Sequence, residues 1–111
     1  MIRSPWFWWP LFVLDADERP VACHDLDKWA EHRRDDPRVY VGNDVYGEYR
    51  VSTVFMGTCA YEFDDADRPI LWETIVSRAG APLTAERYAS ADDARAGHDR
   101  WTRRVAGKVP S

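Results

Sequence analysis

Two β-rich runs restrict this chain more than anything else in it. The first, Glu48–Met56, reads Glu-Tyr-Arg-Val-Ser-Thr-Val-Phe-Met, and the second, Ile70–Ser77, reads Ile-Leu-Trp-Glu-Thr-Ile-Val-Ser. β-Branched and aromatic residues crowd both, and such side chains favour a pleated, half-buried surface. Alternation sends Tyr49, Val51, Thr53 and Phe55 one way and Arg50, Ser52, Val54 and Met56 the other. Ile70, Trp72, Thr74 and Val76 oppose Leu71, Glu73, Ile75 and Ser77 in the same manner. Neither face of either run is purely polar, so both are expected to be central strands, covered at least partly on each side.

The flanking sequence supplies shorter elements. Leu11–Leu14 and Pro20–Cys23 read as short strands around the polar turn Asp15–Arg19, whose Asp-rich composition is good loop chemistry. Asp25 stands as an N-cap before a short helix over about Leu26–Arg34, with Leu26 and Trp29 as its core face and Pro37 ending it. Arg38–Val41 is expected to be a strand and Gly42-Asn43-Asp44 a turn, because Gly and Asn tolerate positive φ. The chain then returns along Val45–Met56. Ala79-Gly80-Ala81-Pro82 is expected to break regular structure. A second helix follows Ser90: Ala91, Ala94, His98, Trp101 and Val105 form an apolar stripe at steps of three and four. Arg100, Arg103 and Arg104 suit its carboxyl end, and Gly107 with Pro110 closes it. No internal repeat is apparent. The fold class is therefore α+β, an antiparallel sheet of about four or five strands with two helices, the C-terminal helix packed on one face. A Trp-rich segment, residues 1–10, precedes a single domain spanning 11–111.

Composition narrows the function classes. Forty-five per cent of residues are hydrophobic and six are Trp, so a core needs no disulfide. The net charge is −4 with basic residues scattered, which removes the electrostatic footprint of a nucleic-acid binder. Cys23 and Cys59 form no Cys-x-x-Cys pair and read as small buried hydrophobes. The amino terminus is apolar but broken by Pro5 and Pro10 and stopped by Asp15, too short for a membrane span and unlike a signal peptide. Cytoplasmic residence is the expectation. Trp6, Phe7, Trp8 and Trp9 either pack over an edge of the core or stay available as an aromatic anchor for a partner, a role in which Trp is over-represented.

Few residues carry the marks of chemistry. His98 lies on the apolar stripe of the second helix, where both ring nitrogens need partners. It is either a core histidine, bonded to a carbonyl or to Glu73, or a general base or metal ligand. Glu73 sits mid-strand between apolar neighbours, with Arg50 at a comparable place in the adjoining strand, so a cross-strand pair is expected. Arg50, Glu73 and His98 are thus the tentative lining of a ligand pocket. The acidic loop Glu62–Asp67 lacks the order of a calcium-binding loop. Cys23, His24 and His32 do not have zinc-ligand spacing. No phosphate-binding Gly loop, nucleophile elbow or triad spacing is present, and no metal or cofactor is expected.

One ordered pattern does stand out: Leu-Asp-Ala-Asp-Glu-Arg-Pro-Val (14–21), Asp25-Leu26 with Trp29-Ala30, Val-Ser-Thr-Val-Phe (51–55) and Gly57, Leu-Trp-Glu-Thr (71–74), Arg87-Tyr88 and Ala96-Gly97-His98. It resembles a widespread set of small uncharacterised phage and prophage proteins, over roughly residues 11–105. The resemblance implies a mobile-element origin and life in a host cytoplasm, and it carries no catalytic residues. Cys59-Ala60 stands where such proteins tend to have Asp-His, and an acidic connection replaces a Gly-rich one. The functional expectation is a non-enzymatic binding or inhibitory protein that engages a host factor, with a small-molecule or nucleotide binder as the alternative.

Overall fold

The computed structural model describes residues 11–58 and 62–108. Trp6, Phe7, Trp8 and Trp9, Cys59-Ala60 and Pro110 lie outside the described residues. Alternation in the two β-rich runs settles the centre of the molecule. Val51, Thr53 and Phe55 are buried along Tyr49–Phe55 (β4), and Trp72, Thr74 and Val76 along Trp72–Arg78 (β5). The two strands pair antiparallel with Val51 opposite Val76, Thr53 opposite Thr74 and Phe55 opposite Trp72. The inward sets meet residue for residue, as a period of two requires.

Outside this pair stand Tyr40–Tyr46 (β3) and Ala81–Tyr88 (β6), giving a four-stranded antiparallel sheet in the order β3-β4-β5-β6. A separate two-stranded sheet joins Phe12–Leu14 (β1) to Pro20–Ala22 (β2). Two helices, Leu26–Asp35 (α1) and Ala91–Ala106 (α2), complete the α+β architecture, and a 3-10 turn over Pro37–Val39 leads into β3. The longer helix touches all four strands of the main sheet. Its buried residues are Ala91, Ala94, Gly97, His98 and Val105, with Trp101 half-buried, so the stripe read from the sequence is the seam. Ser90 caps it by accepting from the Asp93 amide. The core divides along this seam. Leu14, Val39, Phe55, Leu71, Trp72, Tyr88, Ala91 and Ala94 gather at one end, and Val51, Val76 and Val105 at the other. Phe55 and Trp72 rings lie 4.9 Å apart, tilted by 57°.

Several expectations need correction. The turn lies at Gly47-Glu48, where Gly47 has φ +60°, and Gly42-Asn43-Asp44 runs within β3. Tyr46 faces Tyr49, so two residues close the hairpin. Ala79-Gly80 is likewise a tight hairpin with φ of +50° and +83°, and the chain continues from it into β6, which was not expected. Leu26 is 51% exposed, not core. The half-buried side of α1 carries Trp29, His32 and Arg33 instead, with Trp29 Nε1 donating to Gly57 O at 3.2 Å and Arg33 to Phe55 O. On the face away from α2 the cover is partial, as expected: Ser52, Val54 and Glu73 are half-buried, whereas Arg50, Val45 and Ile75 are exposed.

A short repeat is present after all. Asp15-Ala-Asp-Glu-Arg-Pro and Asp64-Asp-Ala-Asp-Arg-Pro form matching turns. In each, the first Asp accepts from the amides two and four residues on. In each, the fourth residue (Glu18 or Asp67) has φ near +60°, and Pro20 or Pro69 pairs back across the turn. These amide bonds hold both carboxyls below their ordinary range.

Candidate functional site

The pleat places Gly42, Thr53, Thr74 and Glu86 in one row across the sheet, each on a different strand, with Asp44 in the neighbouring row opposite Val51 and on the same face toward α2. Gly42 pairs with Thr53, Thr53 with Thr74, and Thr74 with Glu86, while Asp44 stands two residues on from Gly42. Above this row α2 lowers His98, and the groups join into one chain. Asp44 Oδ2 lies 2.6 Å from His98 Nε2, and His98 Nδ1 lies 2.7 Å from Thr53 Oγ1. Thr53 Oγ1 is 2.6 Å from Thr74 Oγ1, which is 2.9 Å from the Tyr88 hydroxyl. That hydroxyl reaches Glu86 Oε1 at 2.8 Å. Glu86 Oε1 also accepts from Trp101 Nε1 at 3.1 Å and from Arg100.

Burial rises toward the middle of the chain of bonds. Thr53 and Thr74 are wholly buried, His98 is 6% exposed, and only the terminal carboxylates reach solvent. Two close approaches make room for this. A Cβ on Gly42 would lie 2.3 Å from His98 Nε2, and one on Gly97 would lie 2.2 Å from the Tyr88 hydroxyl. Both glycines are therefore where the imidazole and the phenol need the backbone itself to be close. Burial pushes the Tyr88 phenol up to about 12. Burial also acts to raise Glu86, but hydrogen bonds from Tyr88 and Trp101 and the Arg100 charge outweigh it and hold the carboxyl below its ordinary value.

Asp44, His98 and Thr53 share the connectivity of a carboxylate–imidazole–hydroxyl triad. The chemistry does not follow, because a nucleophile needs a free approach and Thr53 Oγ1 has none. It is wholly buried and already bonded to both His98 and Thr74. Its oxygen is engaged on one side by His98, which cannot leave without unseating α2, and on the other by Thr74 of the paired strand β5.

The other proposed site residues are elsewhere. Arg50 lies opposite Ser77 and Glu73 opposite Val54, four residues apart along β4 and on the face away from His98. Glu73 is bonded to Arg87 Nε at 2.8 Å, and Arg87 reaches Glu62 at 2.6 Å, so the expected pairs of Glu73 with Arg50 and with His98 are absent. The pocket of Arg50, Glu73 and His98 is not assembled. Cys23 is buried, its thiol 3.3 Å from Asp25 O, and His24 is exposed. His32 accepts from the Leu14 amide at 3.2 Å through Nε2, which leaves its Nδ1–H toward Asp36 at 3.4 Å. Burial lowers this ring's affinity for a further proton, against the pull of Asp36. Among the described residues no three His, Cys, Asp or Glu side chains are grouped to hold a metal ion.

A cleft of about 590 Å³ lies between the two matching turns and the start of α2, lined by Glu18, Arg19, Arg68, Arg95, Asp92 and Trp72 among others. Its charges are balanced internally, since Arg95 bridges Glu18 and Asp92 and Arg68 holds Asp64. Among the described residues the Trp72 indole N–H has no partner, and the side chain is fully buried. No family model, curated protein or solved structure matches this chain.

Proposed function

We propose that this chain acts by binding rather than by catalysis, as a phage-type protein that engages a host protein in the host cytoplasm. The observation that supports the reading is the sealed hydroxyl of Thr53. Among the described residues, the one constellation with catalytic connectivity is spent on holding α2 to the sheet. The aromatic head, Trp6, Phe7, Trp8 and Trp9, supplies the residue types that dominate interface hot spots. None of the described helices is long and apolar enough to cross a membrane. Arg50 and Glu73 stand on the opposite face of the sheet from His98, so the three do not form one nucleotide or small-molecule pocket.

The test is capture from host extract on immobilised full-length chain, followed by titration of each captured protein in purified form. Saturable binding that weakens at least tenfold when Trp6, Trp8 and Trp9 are changed to Ala is the expected result. Failure of every captured protein to bind saturably would sink the reading.

A further inference from the structure

The chain of bonds from Asp44 to Glu86 has five links, and all five distances fall between 2.6 and 2.9 Å. A hydrogen bond of that length requires one proton between its heavy atoms; without one, two lone pairs oppose each other. The groups that can supply protons are a neutral imidazole with one, and Thr53, Thr74 and Tyr88 with one each. Both terminal carboxylates supply none. Four protons cannot fill five links.

Their order can be followed from either end. Glu86 only accepts, so Tyr88 donates to it. The Tyr88 oxygen then accepts from Thr74, Thr74 from Thr53, and Thr53 from His98 Nδ1–H. A neutral ring protonated there presents a bare Nε2 to the Asp44 carboxylate at 2.6 Å. If the ring is instead protonated at Nε2, every hydroxyl turns about and Tyr88 has no proton left for Glu86. Either way one close contact lacks a proton.

We infer that the folded chain takes up a fifth proton, held on the His98 ring as an imidazolium between Asp44 and Thr53, so that seating α2 on the sheet is coupled to proton binding. The alternatives for that proton are the carboxylates. Glu86 already accepts from Tyr88, Trp101 and Arg100 on one oxygen, which favours its charged form. Asp44 is about half exposed, so water stabilises its charged form. Other ionisable groups do not alter the count. Among the described residues β3 presents Asp44 to the ring; β4 and β5 present only Thr53 and Thr74; β6 presents Tyr88 and Glu86 through the threonine pair. On α2 itself the nearby Arg95 is occupied by Glu18 and Asp92, and Arg100 by Glu86.

The experiment is a histidine ring ¹⁵N correlation spectrum of the full chain at pH 7, with His98 assigned by its loss in His98→Gln. Both ring nitrogens of His98 are expected to carry protons; one protonated and one bare nitrogen would overturn the inference. Urea unfolding at pH 6, 7 and 8 for the parent chain and Asp44→Asn supplies a second readout. Proton uptake on folding makes the parent lose stability as pH rises, by up to tenfold in the unfolding equilibrium per pH unit. His32 changes both proteins alike and cancels in the comparison. A steeper loss in the parent than in Asp44→Asn supports the inference, and equal slopes would overturn it.

Discussion

Gly97→Ala offers a test in which the ordinary expectation and the structure disagree in sign. In the middle of a helix, replacing Gly by Ala normally stabilises by about 1 kcal/mol, through lost unfolded-state entropy and better propensity. Here the new methyl would lie 2.2 Å from the Tyr88 hydroxyl and 2.3 Å from its Cζ. Tyr88 cannot swing aside, because its hydroxyl is bonded to Thr74 and Glu86 and its ring is buried in the core. Overpacking of this kind costs about 1–3 kcal/mol. Displacing the phenol also breaks two hydrogen bonds worth about 1 kcal/mol each and strands Thr74. Against the propensity gain, a net loss of about 2–4 kcal/mol remains, a large part of the 5–15 kcal/mol typical of a domain. Urea unfolding with an unchanged m-value is the assay. In a Tyr88→Ala background the same substitution should be neutral or stabilising, a coupling of about 2 kcal/mol or more. Stabilisation in the parent chain, or equal effects in the two backgrounds, would refute the packing argument.

Further substitutions probe the same network and one outlying pair. Gly42→Ala should cost about 1–3 kcal/mol in urea unfolding, because its Cβ would strike the His98 ring. Thr53→Val keeps the shape but leaves His98 Nδ1 and the Thr74 hydroxyl facing a methyl, and should cost about 1–3 kcal/mol by the same assay. The Arg38 guanidinium holds the Asp36 carboxyl down to about 2 against burial. A depressed acid gives its full stability above its ordinary value and loses it as pH falls from 3.8 through about 2. Acid unfolding of the parent over that window should therefore lose about 1–2 kcal/mol more than Asp36→Asn, allowing for solvent screening. Equal acid curves would remove Asp36 from the account.

The sequence made the centre of the fold legible and its margins opaque, for identifiable reasons. Strands β4 and β5 declared their inward sets because one face is buried and a period of two follows. Asp25 and Ser90 announced their helices through capping chemistry, and both side chains accept from the amides expected of them. Strand β6 was hidden because it is an edge with exposed Ala81, Leu83 and Ala85, so no alternation is imposed, and Pro82 is tolerated there. Gly42 was misleading since its lack of a side chain serves His98 rather than a turn. Helical spacing alone points Leu26 at the core, whereas α1 rests on Trp29, His32 and Arg33 through polar contacts to backbone carbonyls and amides. Partners of His98 lie 45 and 54 residues away, a separation that spacing rules do not reach. A signal was nonetheless present: Thr53 and Thr74 are the polar members of otherwise apolar inward sets, and such residues require partners.

Slowly exchanging side-chain hydroxyl protons are the most direct measure of whether the Thr53–His98–Asp44 group is sealed structure or open chemistry. Proton NMR of the folded chain should show separate hydroxyl resonances for Thr53 and Thr74, each with cross-peaks to the His98 ring or to Tyr88. Hydroxyls that exchange with water as fast as those of surface threonines would contradict the account, because a water-accessible Thr53 beside His98 and Asp44 is a nucleophile in waiting.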